Sequence, residues 1–132
     1  MAGDPRIVCV NPAGTAPPGG HYAHAVIAGG FVHVSGQLPV LPDGTHAPDA
    51  DFATQAGRAL ANLFAALAAA GTSRDALVKV TVYVTDIADW PAFNSIYAEA
   101  MGDHRPARCV VPVPELHHGY RLEIEAVALA GA

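Results

Sequence analysis

Charge is scarce in this chain. Only 14% of its 132 residues are Asp, Glu, Lys or Arg, and the seven Lys and Arg form no basic run. Twelve acids leave a net charge of −5, so no nucleic-acid partner is expected, because phosphate neutralisation needs clustered cations. Cysteine is nearly absent. Cys9 and Cys109 are too few for a disulfide framework or a zinc site. Long hydrophobic runs are missing as well. The longest, Leu63 to Ala70, falls far short of the ~20 residues of a membrane-spanning helix. The opening MAGDPRIVCV has no apolar core of the kind a signal peptide needs. The expected setting is therefore the cytosol, with no membrane partner.

Apolar residues are what the chain does have, at 52% of the total. That excludes a disordered chain. The length fits one domain, residues 1–132, in which 1–17 form an N-terminal strand and loop. So little charge also points to apolar surface covered by another subunit.

Arg6 to Val10 reads as a short strand, followed by the Pro- and Gly-rich loop NPAGTAPPGG. Ala23 to Ala28 and Phe31 to Ser35 are strand-like runs joined by Gly29-Gly30, the signature of a hairpin with a primed turn. From Asp51 to Ala70, Phe52, Ala56, Leu60, Leu63, Leu67 and Ala70 recur at helical spacing. Asp51 can cap this helix and Gly71 can end it. Its opposite face is mostly Ala and Gly57, small residues that permit close approach of another layer.

In Leu77 to Thr85, period-two alternation places Val78, Val80, Val82 and Val84 on one face. Asp89-Trp90-Pro91 opens a second helix to about Met101, with Phe93, Ile96, Tyr97 and Ala100 as its apolar stripe. Ala107 to Val113 and Tyr120 to Leu129 are the last strands. Pro112 and Pro114 mark the first of them as an edge or a bend. The expected fold is α+β, a six-stranded mixed sheet with both helices on one face. Self-association would cover the other.

Arg108 is the chief chemical candidate, because it lies among apolar neighbours in PARCVVPV and Arg is rarely buried without a partner. Its fork suits a ligand carboxylate; an ion pair with Glu123 or Glu125 is the plainer alternative. Those two glutamates alternate with Leu122, Ile124 and Ala126 in RLEIEAVALA. They form a solvated strand face, or one of them orients a water. His21 and His24 of GHYAH point to opposite faces of a strand and make no metal site. His117-His118 reads as an exposed turn, and Cys109 as an inert thiol facing away from Arg108.

GHYAHAV, FVHVSGQLPV, ANLFAALAAAG, VKVTVYVTDIADWPAFNSIYAE, PAR and LEIEAVA follow one another in the order and spacing of the RidA (YjgF) family. The chain resembles those reactive intermediate imine deaminases over about residues 18 to 129. The resemblance implies a chorismate-mutase-like fold whose sheets form a central barrel in a homotrimer, with sites in the clefts between subunits. It implies hydrolysis of 2-imino or enamine acids to 2-oxo acids and ammonia, with no metal and no organic cofactor. Arg108 matches the arginine that grips the substrate carboxylate, and Glu123 the acid associated with the catalytic water. Tyr22, Ser35, Gly36 and Asn94 match residues lining the pocket, and Cys109 follows the arginine where serine is common, so that its backbone should line the pocket too. His21 stands where the family has proline, and His24 where glutamine is common.

Two functions compete on these residues. One is an imine and enamine deaminase, possessing both Arg108 and Glu123; a paralogous subgroup acting on a different imine falls under the same reading. The other is a non-catalytic binder of small oxo or amino acids, which needs only the arginine. A ribonuclease activity, also associated with this family, is opposed by the acidic balance.

Overall fold

The computed structural model describes residues 3–131; the readings above that touch Met1, Ala2 and Ala132 lie outside that range. In chain order the main elements are β1 (Val8–Val10), β2 (Ala25–Ala28), β3 (Phe31–Gln37), α1 (Phe52–Ala69), β4 (Leu77–Val84), α2 (Trp90–Met101), β5 (Ala107–Pro112) and β6 (Leu122–Leu129). The strands form one sheet in the order β1-β2-β3-β6-β4-β5. Only β4 and β5 run parallel, as expected for two strands joined by a helical crossover. The mixed six-stranded sheet with two helices is therefore present, and β5, the strand ending at Pro112, lies at an edge.

Local chemistry explains the boundaries. Gly29 and Gly30 both have positive φ, 59° and 84°, which a primed hairpin turn demands at both central positions. Asp51 caps α1 by accepting from Thr54 N at 2.7 Å. Gly71, at φ 79°, closes it: Gly71 N donates to Ala68 O and Thr72 N to Leu67 O, each at 3.0 Å, satisfying carbonyls the helix leaves open. β1 begins at Val8 rather than Arg6, because Arg6 folds back onto Asp4 through its backbone N–H and its guanidinium.

The core fills the space between the helices and one sheet face. Leu63, Leu67, Phe93, Val80, Val82, Leu122 and Ile124 are fully enclosed. The expected face of β4 requires a correction. Val80, Val82 and Val84 are buried, but Val78 is 43% exposed and Leu77 takes the inward position. A register shift against β6 between Leu77 and Lys79 is the cause, since one extra residue in a bulge reverses the alternation before it. The outer face of α1, with Ala53, Gly57, Ala61 and Ala68, is exposed, so no other layer of this chain approaches it.

The sheet face away from the helices is uncovered too. Phe31 and Leu129 pair across β3 and β6 on that face and are 40% and 51% exposed.

One buried polar residue joins three segments. Gln55 is fully enclosed. Its Nε2 donates to Pro48 O and Ala50 O, and its Oε1 accepts from Arg121 N, all at 2.9 Å. Gln55→Leu keeps the volume and strands these backbone groups. Each unsatisfied buried group costs about 1–3 kcal/mol, so the loss should be on the order of 3 kcal/mol or more. Urea denaturation measures it; a loss below 1 kcal/mol would show that water replaces the amide.

Candidate functional site

β3 shifts register against β6 between Val34 and Gln37, and the Ser35-Gly36 segment bulges there. Ser35 Oγ donates to Ala23 O at 2.7 Å and Ser35 N donates to His24 O at 2.9 Å, so the hydroxyl is committed to fixing the bulge. Gln37, 5% exposed, supports it from within. Its Nε2 donates to Ser35 O and to His24 Nδ1, both at 3.1 Å. The other His24 nitrogen, Nε2, lies 2.9 Å from Ala16 O. With Nδ1 accepting, Nε2 carries the hydrogen, and His24 ties the bulge to the Pro-rich loop.

A cleft of about 660 Å³ opens beside this bulge, lined among others by Tyr22, His24, Gly36 and Glu123. Glu123 lies on β6 opposite Tyr83 of β4, on the face away from the helices. A Cβ on Gly36 would stand 2.7 Å from Glu123 Oε2 and 2.9 Å from its Cδ. Only glycine lets the backbone approach the carboxyl group this closely. Burial pushes the Glu123 carboxyl above its usual 4.5; the charge of His117 opposes the rise, and that of Glu125 adds to it. Glu125 itself accepts from Tyr83 Oη at 2.5 Å, and that bond holds the phenol protonated well into the alkaline range. Tyr22, 48% exposed, stands at the cleft with its Oη accepting from Gly19 N at 3.2 Å.

Arg108 occupies the other side of the sheet. It pairs with Val80, a core-facing residue, and its guanidinium carbon lies 4.8 Å from the Tyr97 ring centroid, 5.8 Å from Trp90 and 6.0 Å from Phe93. The fork rests on a bed of α2 rings, an arrangement that holds its plane while leaving N–H groups for an acceptor. Among the described residues it forms no ion pair. The plainer alternative, an ion pair with Glu123 or Glu125, is not present within the chain. Arg121, two residues before Glu123, does find an acid, Asp89, at 2.8 Å. Asn94 is on α2, and Cys109 is exposed on the opposite face from Arg108.

The sequence candidates thus separate into two groups. Tyr22, Gly36 and Glu123 meet at the cleft; Arg108 and Asn94 belong to the α2–β5 side. Three residues of register separate Arg108 from Glu123 along β4, about 10 Å at the strand rise, in addition to the thickness of the sheet. No small ligand touches both in one chain. The sequence reading did not name His46; it took His117-His118 for an exposed turn, and they are exposed, but all three line the cleft. Their one signal is that His117-His118 closely precedes Glu123.

Comparison with known proteins shows the family. A family model described as Endoribonuclease L-PSP matches residues 13–130. A RutC family protein of Pyrococcus horikoshii is 40% identical over 111 residues, covering 84% of this chain and 88% of the relative. TdcF of Escherichia coli K12, named as a candidate reactive intermediate deaminase, is 38% identical over 116 residues, 86% of this chain and 89% of its own. The crystal structure of E. coli TdcF with bound serine gives a TM-score of 0.86 at 33% identity, over 94% of this chain and 99% of that one. Yeast Mmf1 gives 0.90 at 33% identity, over 95% and 99%. Matches of this extent make the chain a member of the endoribonuclease L-PSP family, which is the RidA (YjgF) family.

Proposed function

We propose that this protein hydrolyses reactive 2-imino and enamine acids to 2-oxo acids and ammonia, in the cytosol, at sites completed between the chains of a homotrimer. The observation that carries this reading is the division of labour across the sheet. A carboxyl group held above its usual pKa stands at a cleft on one face, and an arginine with no acid of its own stands on the other. One chain cannot bring them to one ligand, whereas a neighbouring chain can. The uncovered sheet face around Phe31 and Leu129 supplies apolar area for that association, with the sheets forming a central barrel. The serine in the TdcF structure supports a small amino-acid-like ligand. The acidic net charge favours this reading over a ribonuclease.

The chemistry asks little of the protein. An imine carbon is already electrophilic. Arg108 holds the substrate carboxylate through its fork, and an enamine tautomerises to the imine before attack. Glu123, as the carboxylate, takes a proton from water as the oxygen bonds to the carbon of the protonated imine, whose C=N π electrons become the lone pair of a neutral amine. The acid then gives that proton to the amine; the C–N bond breaks with its electron pair leaving on ammonia, while the hydroxyl becomes the carbonyl and passes its own proton to the Glu123 carboxylate. A carboxyl with a raised pKa suits these transfers.

Sedimentation equilibrium at micromolar concentration should give three times the chain mass; a monomer mass removes the assembly. Arg108→Ala should abolish ammonia release from freshly generated imino acids, at a cost of roughly 2–5 kcal/mol in transition-state binding, with the fold intact by circular dichroism. Undiminished turnover would place the carboxylate elsewhere. If oxo acids bind the wild-type protein but no imine loses ammonia, the protein is a binder.

Glu123→Gln should lower turnover on the order of 10²-fold, as for loss of a general base, with a smaller effect on oxo-acid binding; parallel losses would leave Glu123 as scaffolding. Stability should move the opposite way. A carboxyl raised above 4.5 in the fold gives its full contribution below pH 4.5, and loses it as pH rises through the raised value. The amide never ionises, so the variant should have a higher Tm than wild type at mildly alkaline pH, and no advantage in acid. Gly36→Ala places a methyl 2.7 Å from Oε2 and should displace the carboxylate, with turnover falling more than stability.

A further inference from the structure

The cleft has a wall that this hydrolysis does not use. His46 stacks on His118, with ring centroids 3.8 Å apart and planes 19° from parallel, and both line the cleft together with His117. The stack is anchored from beneath. Tyr120 is 1% exposed, and its Oη accepts from Ala47 N at 3.2 Å and lies 3.1 Å from His46 Nδ1. Among the described residues His46 Nδ1 is the one acceptor the Tyr120 hydroxyl has within reach, so the buried phenol's proton is assigned to it. His46 then carries its hydrogen on Nε2, the edge facing away from Tyr120.

His118 holds its ring in place from a left-handed backbone, φ 63° and ψ 12°. It is the one non-glycine residue with positive φ among those described. Such a conformation persists where its surroundings over-determine it, and it concentrates at ligand sites. Charged side chains are few here. Among the described residues lining the cleft, Glu123 is the one carboxylate, and no Lys or Arg is present. The Asn62 amide nitrogen is committed to Leu38 O and Val40 O, each at 2.9 Å.

We propose that the His46–His118 stack, with His117, is the subsite for the substrate's side chain, and that it selects dicarboxylic 2-imino acids over those with apolar side chains. A carboxylate accepts from several donors at once, and a charged acceptor strengthens each bond. An apolar side chain would cover these ring N–H groups without satisfying them, which is how a polar subsite discriminates. The substrate class rests on the deaminase reading; the preference for a terminal carboxylate does not.

The test uses two product-like acids of equal chain length, 2-oxoglutarate and 2-oxopentanoate, which differ in a terminal carboxylate against a methyl. Isothermal titration calorimetry on the assembled wild-type protein should show 2-oxoglutarate bound roughly tenfold tighter or more, the worth of one hydrogen bond to a charged group. His46→Phe keeps a flat ring in the stack and removes the Nε2 donor. His118→Gly keeps the left-handed backbone and removes the ring. In either variant the preference should collapse toward equality, with 2-oxopentanoate affinity little changed and the folded state verified by circular dichroism. Equal affinities in the wild type, no binding of either acid at millimolar concentration, or an unchanged preference in both variants would overturn the subsite. Preferential 2-oxoglutarate binding without ammonia release from any imine would instead retain the subsite and overturn the deaminase.

Discussion

β6 lies between β3 and β4, hydrogen-bonded along both edges, and its side chains alternate between two environments that cannot be exchanged. Leu122, Ile124, Ala126 and Ala128 enter the core, while Glu123 and Glu125 face away from it. A slip of one residue would drive two carboxylates among the helices and place four apolar side chains on the open face. The register is therefore held by the whole core, and the position of Glu123 follows from it. The bulge at Ser35-Gly36, clamped by Gln37 and His24, brings peptide backbone against that carboxyl group. Desolvation there raises its pKa, the property that the proposed proton transfers would draw on.

The same alternation separates the acid from the arginine. Arg108 is on the helix side because it pairs with Val80, and the rings of α2 give its guanidinium a flat support instead of a counter-charge. A strand arrangement that fixes both groups also prevents them from meeting in one chain. On the proposed assembly, the scarcity of charge, the exposed Phe31–Leu129 pair and an Arg108 without an ion pair among the described residues would have one common explanation.

Much of the fold was legible because local signals agreed. The Gly29-Gly30 turn, the Asp51 cap, the Gly71 stop and the edge strand marked by Pro112 each follow from one residue's backbone or hydrogen-bonding preference. Val78 was misplaced because a bulge is set by pairing with β6, and the alternating sequence carries no mark of it. Of the site, Arg108 could be named from its type and setting; Glu123 was told from Glu125 only by the family resemblance. Their location on opposite faces required the sheet order, which brings β6 beside β4. The histidine wall was missed because it joins two loops distant in sequence. Tyr120, which fixes His46, reads in sequence only as one more apolar residue at the start of a strand.

The central claim is that one site takes its arginine and its glutamate from different chains, and mixing two inactive variants tests it directly. Arg108→Ala and Glu123→Gln chains are unfolded together, refolded as mixed oligomers and assayed for ammonia release from a freshly generated imino acid. A site shared between chains regains both intact groups wherever an Arg108 chain meets a Glu123 chain, so activity should return well above that of either variant alone. If each site lay within a single chain, every one would still lack a group. Activity no higher than the average of the two variants, in oligomers shown by mass to be mixed, would contradict the account.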